Sequence, residues 1–232
     1  MTTALDLALV TRLYAEHGPA LAVARTEQRE LLARDRSMRA QLDDVEAEAT
    51  YLLLRHVRPA SVVEIGTFHG WSTTWILRAL RDNGAGRLRS VDLVDAALRH
   101  VPAGLAADRW TFTRGDARAL GPHVAAGADY LFIDADHSAR FARWYTAELL
   151  PALRPGTPVS VHDVFHRRFA VPFGEGRVVL RWLAARGTPY FTASRARAPR
   201  AHAELLAAKE RAGVADPVRR GARNPMIFFR TG

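Results

Sequence analysis

The chain has no cysteine, which removes disulfides, thiolate metal sites and cysteine nucleophiles together. Any metal must then be held by His, Asp or Glu. Lysine is nearly absent too: Lys209 is the only one, and the other 32 of the 33 Lys and Arg side chains are arginines. No apolar run approaches the roughly 18 residues of a membrane span, and nothing at the start reads as a signal peptide. A soluble, cytoplasmic protein with no membrane partner is the expectation. No internal period recurs. No aromatic RNP-type box accompanies the formal charge of +9, and the arginines are scattered through every segment among many alanines. That scatter reads as coding bias rather than as a face selected for phosphate, so nucleic acid is not the expected partner.

What remains is a chain of 232 residues, 48% hydrophobic, able to bury a full core. Length favours one domain over residues 1–232, divided into a helical cap (1–58) and a core (59–232). In the cap, Leu5, Leu9 and Leu13 fall four apart between Ala4 and Tyr14, and leucines alternate with charges from about Glu27 to Val57. Both stretches predict helices, the second ended by Pro59. The period then changes. "SVVEIG", "LRSVDL", "WTFTRGD", "DYLFIDAD" and "PVSVHDV" are short, apolar and rich in Val and Ile, with helix-length stretches at Ser72–Arg81 and Ala139–Leu150. Strand-helix alternation with near-continuous apolar strands predicts an α/β, Rossmann-like, doubly wound and mostly parallel sheet with helices on both faces. "GRVVLRWLAARG" predicts one more helix and residues 202–212 another. "PYFTAS" and "PMIFFRTG" predict an antiparallel pair at the sheet edge.

The stretch "VVEIGTFHGWSTTWIL" (Val62–Leu77) passes from buried strand through glycine into helix. In an open parallel sheet the ligand lies beyond the carboxyl ends of the strands, beside this first turn. Gly66 and Gly70 are expected to let the backbone approach that ligand closely, and a helix starting near Ser72 to aim free N–H groups at it. The G-x-x-x-G spacing differs from the dinucleotide fingerprint, which argues against pyrophosphate. Asp92, ending the second strand, is placed to accept two ribose hydroxyls, and Asp116, after the third, an adenine amino proton. These are nucleoside contacts without a phosphate clamp.

At these residues the chain resembles the class I S-adenosylmethionine-dependent methyltransferases. "VVEIGTFHGWST" is similar to their first motif, with Glu64, Gly66 and Gly70 in place; "SVDL" to the second; "TRGDA" to the adenine-contacting turn; "YLFIDADHS" to the fourth; and "NPMIFF" to the last strand. Within that superfamily it looks most like the cation-dependent small-molecule O-methyltransferases of the catechol and caffeoyl-CoA type and their antibiotic-tailoring relatives. The resemblance implies S-adenosylmethionine as cofactor, a small-molecule acceptor and a homodimer. It sets Gly66, Thr67, Phe68, Gly70 and Ser72 around the methionine part, Asp92 on the ribose, and Asp116 and Ala117 beside adenine.

Two clusters carry the chemistry, "FIDADH" after the fourth strand and "VHDVFH" after the fifth. Neighbouring strands lie about 4.8 Å apart, so Asp134, His162 and Asp163 are expected to converge as two carboxylates and an imidazole suited to Mg²⁺ or another divalent ion. The family holds its metal with an acidic residue where this chain has His162. The resemblance also sets His137 where catechol-type enzymes carry a lysine base. A hydroxyl is a weak nucleophile at neutral pH, so His137 is expected to take its proton, with Asp134 and His162 beside it. Each residue has a plainer reading. Asp134 is also a natural helix cap, His162 a natural core imidazole, and His137, His166 and His69 natural loop histidines; Trp71, Trp75 and Trp182 suit core packing or cofactor cover. Three other functions compete: a metal-independent O- or N-methyltransferase, a nucleic-acid methyltransferase using the arginines of residues 194–200, and a silent binding subunit. The Asn/Asp-Pro-Pro-Tyr/Phe motif of base amino-methylating enzymes is missing after the fourth strand, which counts against the second of these.

Overall fold

A computed structural model describes residues 4–166, 168–219, 221 and 225–232. Asn224, which opens the last-strand resemblance, and residues 220, 222 and 223 of the Ala/Arg-rich segment lie outside the described residues.

Seven strands form one sheet in the order β3-β2-β1-β4-β5-β7-β6. They are β1 (Ser61–Ile65), β2 (Arg87–Asp92), β3 (Trp110–Arg114), β4 (Tyr130–Ile133), β5 (Pro158–Val161), β6 (Tyr190–Phe191) and β7 (Ile227–Arg230). The first five run parallel, and β7 is antiparallel to both β5 and β6. The expected antiparallel pair is present, but its last member is not at the rim: β7 lies between β5 and β6. Its phenylalanines explain the position. Phe228 packs into the core on one face and Phe229 into the core on the other, which suits a strand covered on both sides.

Alternation along the central strands sorts two cores. Val62, Leu88, Tyr130 and Phe132 face α1 (Leu7–Arg34), α2 (Asp44–Val57) and α3 (Trp71–Asp82). Val63, Val91, Leu131 and Ile133 face α4 (Ala139–Trp144) and α5 (Glu175–Ala185). A last helix, α6 (Pro199–Arg211), docks against α1.

The cap departs from its expected helix boundaries. α1 runs unbroken through Pro19, because its buried stripe from Leu9 to Leu31 continues on both sides of the proline and outweighs one missing N–H. The break falls later, over residues 35–43, where Asp43 accepts from the Glu46 N–H and starts α2. That Asp-x-x-Glu spacing is a capping signal visible in the sequence. α4 is shorter than expected: beyond Trp144 the coil widens into a π-turn over Tyr145–Leu149 and then tightens over Leu150–Ala152.

Lys209 is buried in the docking of α6. Its Nζ donates to Glu48 of α2 at 2.9 Å, where Tyr14 Oη donates at 2.8 Å and Arg25 also pairs. Burial brings the Lys209 amine down to about 8. The Ala/Arg-rich segment thus contains a helix tied into the cap by the chain's one lysine.

Candidate active site

The carboxyl ends of β1, β2, β3 and β4 open onto a cavity of about 360 Å³, within the range of small-molecule sites. Of the expected cofactor residues, Gly66, Phe68, Asp92, Asp116, Ala117 and Asp134 stand in its wall. Ile65, Leu93, Arg118 and Phe141 also line it and were not singled out in the sequence. Glu64, Thr67, Gly70 and Ser72 are not in the wall.

Glu64 is fully buried beneath the turn and accepts hydroxyl hydrogen bonds from Ser72 at 2.6 Å, Ser90 at 2.7 Å and Thr73 at 2.8 Å. Burial pushes its carboxyl up to about 7 even with those three donors. It ties β1, β2 and the start of α3 together rather than touching a ligand, and Ser72 is spent on that tie.

The two glycines also serve the protein itself. Gly66 has φ +87, and a Cβ there would lie 1.8 Å from the Asp134 carbonyl oxygen; at Gly70, φ +83, a Cβ would meet Val101 at 2.6 Å. Glycine is required at the first position because the end of β4 passes directly over the turn.

Asp92 fastens the same turn. Its Oδ2 accepts from Thr67 N at 2.6 Å, Phe68 N at 2.8 Å and Thr67 Oγ1 at 3.0 Å, and its Oδ1 from Val94 N at 3.1 Å. One carboxylate oxygen is therefore saturated by the turn, and Oδ1 alone keeps a free lone pair toward the cavity. The expected bidentate grip on a ribose does not fit this arrangement. Asp116 caps the short helix that begins at Ala117, and the Arg118 guanidinium grips its carboxylate at 2.6 Å, which lowers its pKa. Arg118 thus competes for the oxygens expected to face adenine.

At the β4 and β5 ends the three residues expected to chelate do come together, joined by two glutamates. His162 is buried: its Nδ1 lies 3.1 Å from Asp134 Oδ1 and its Nε2 3.3 Å from Glu46 Oε2. His137 has Nδ1 3.0 Å from Glu175 Oε2, and its Nε2 is 3.2 Å from Asp163 Oδ2 and 3.7 Å from Asp134 Oδ1. Burial opposes the charged form of His162, but the Asp134 and Glu46 carboxylates overcome it and hold its pKa well above the imidazole range. His137 is likewise raised against the effect of burial, chiefly by Glu175. Asp134 is lowered: its burial is outweighed by His162. Sequence reasoning missed Glu46 and Glu175, which reach the site from α2 and from the start of α5.

The set does not fit a metal ion as expected. A carboxylate only accepts, so an imidazole nitrogen facing one carries a hydrogen, and His162 faces one on each side. It has no lone pair to give. The carboxylates aim at imidazole nitrogens instead of at one shared point, and among the described residues no group of three His, Asp or Glu is arranged to hold a metal.

Residues 63–164 match the family model of a methyltransferase domain. No curated protein matches the chain in sequence. Among solved structures, an O-methyltransferase from Bacillus cereus in complex with SAH aligns at a TM-score of 0.59 and 15% identity, over 90% of this chain and 91% of that one. The O-methyltransferase TomG from Streptomyces achromogenes, involved in tomaymycin synthesis and bound to SAM, aligns at 0.55 and 18% identity over 90% of each chain. A methyltransferase from Geobacter sulfurreducens aligns at 0.54 and 16% identity, over 92% and 88%.

Proposed function

Since this chain has the class I methyltransferase fold and matches the methyltransferase-domain family, we propose that it transfers a methyl group from S-adenosylmethionine to a hydroxyl oxygen of a small molecule, with His137 as general base. One observation carries the reading. Asp134 lines the cavity and its carboxylate contacts both histidines, which supports a donor in the cavity lying beside a base at His137.

The step balances simply. The acceptor oxygen attacks the sulfonium methyl carbon as the carbon–sulfur bond breaks, its electron pair returns to sulfur, and the hydroxyl proton passes to His137 Nε2. Glu175 holds the opposite nitrogen and fixes the ring; Nε2 faces the exposed Asp163 carboxylate at 3.2 Å and serves as base once it has lost its hydrogen and Asp163 has given way to the acceptor. The surrounding Glu46, Asp134, Asp163 and Glu175 outnumber the two histidines, an excess of negative charge that suits a sulfonium. Much of the rate then comes from holding donor and acceptor in line. Phe169, Val171 and Phe173 are exposed on the stretch leading to Gly174, whose backbone bridges Ser138 beside His137. They suit an apolar acceptor, and the link of a neighbour such as TomG to tomaymycin synthesis supports a natural-product substrate.

Calorimetry with S-adenosylhomocysteine tests the cofactor half. The wild type is expected to bind it, and Asp92→Ala to bind about 10–100-fold more weakly, because the turn's N–H groups lose their acceptor. Absence of binding by the wild type would sink the enzymatic reading.

The base half is tested by pH. His137 must be neutral to accept a proton and its pKa is raised, so kcat/KM is expected to fall on the acid side with a midpoint above the ordinary imidazole value. In Glu175→Gln that limb is expected to move to lower pH, since the carboxylate that favours the imidazolium is gone. Loss of amplitude with no movement of the limb would mean that Glu175 serves only the fold.

A further inference from the structure

The pairing around His162 reaches beyond the choice of base. Glu46 is buried on α2 and Asp134 half-buried at the β4 end, and Glu46 Oε1 is already held by the Met226 N–H at 2.8 Å. Buried carboxylates need a compensating cation, and proteins supply one either as a metal or as a side chain. Here it is the ring lying between them, with a carboxylate against each nitrogen at 3.1 and 3.3 Å.

We infer that the His162 imidazolium holds the place of a divalent ion, and that the acceptor is activated at this site without one. The inference rests on the methyltransferase reading above for its meaning, but its geometry stands apart from that reading. The positive charge is fixed in the fold, bonded on both sides, and linked through Asp134 to the cavity wall. A second cation entering beside it would face a like charge and would compete with His162 for the Asp134 and Glu46 carboxylates. An acceptor then needs only one hydroxyl within reach of His137, with no second oxygen to chelate an ion.

Metal binding can be read without turnover. The full chain, freed of metal with EDTA and saturated with S-adenosylhomocysteine, is titrated with Mn²⁺ while the free ion is followed by electron paramagnetic resonance. The wild type is expected to leave the ion free into the millimolar range, whereas His162→Asp, which removes the fixed cation and adds a carboxylate, is expected to bind one ion about a hundredfold more tightly. A wild type that takes up one Mn²⁺ with micromolar affinity overturns the inference whether or not the variant folds. So does a folded His162→Asp that binds no better than the wild type. Failure to bind the nucleoside, seen beforehand by calorimetry, would instead count against the methyltransferase reading.

Discussion

His137→Ala is expected to lower kcat by about 10²–10⁴-fold, the usual contribution of a positioned general base, while leaving the affinity for S-adenosylhomocysteine unchanged. The split follows from position. His137 contacts Glu175, Asp163 and Asp134 but is not in the wall of the cofactor cavity. Transfer of a tritiated methyl group to a phenolic acceptor measures it. The acid limb of the pH profile should disappear in the variant, and added imidazole should restore part of the rate by occupying the vacated space. A variant that kept its turnover would remove His137 from the chemistry and leave Asp163 as the nearest alternative acceptor of the proton.

Gly66→Ala is the second large effect, and it acts through the backbone. At φ +87 a side chain costs about 1–2 kcal/mol. The new Cβ would also lie 1.8 Å from the Asp134 carbonyl oxygen and 2.8 Å from Ala135 Cα, so the end of β4 must shift, an overpacking cost of about 1–3 kcal/mol. The sum, about 2–5 kcal/mol, is a large share of the roughly 5–15 kcal/mol that holds a domain folded. Urea unfolding measures it. Gly84→Ala is the control, since Gly84 also has positive φ, +69, but no atom within 4 Å of its missing Cβ. If the two variants lost equal stability, the close approach would be irrelevant. Because the strained contact is Asp134 itself, any folded Gly66→Ala protein is also expected to bind cofactor poorly.

The parts of this fold that could be read from sequence are those written in local pattern. Three of the five parallel strands, β1, β4 and β5, are mostly apolar buried runs, each strand end carries its acidic or glycine signal within a few residues, and the G-x-x-x-G turn opens a helix as expected. What could not be read depends on partners distant in the chain. Glu46 sits in a helical run that shows nothing unusual until α2 lies across the end of β5. Glu175 reads as an ordinary helix start until Gly174 bridges Ser138. Asp92 was rightly placed at the turn, but only three dimensions reveal that the turn's own N–H groups use one of its oxygens. At Gly66 the structure adds a second reason for glycine, the end of β4 over the turn, because a sequence shows the glycine without showing which strand approaches it. α1 runs past the Ala4–Tyr14 stretch expected from its leucine spacing because its buried stripe continues to Leu31, through Pro19.

The position of β7 bears on how the chain is made. It follows the other six strands in the sequence yet fills an interior slot, so a nascent polypeptide emerging from the ribosome presents β5 as an open rim and leaves β6 with no neighbour in the sheet. Until residues 227–230 arrive, that rim is a template for pairing with other chains. Aggregation during synthesis, more than unfolding of the finished molecule, is therefore where changes near Phe228 and Phe229 would first be felt.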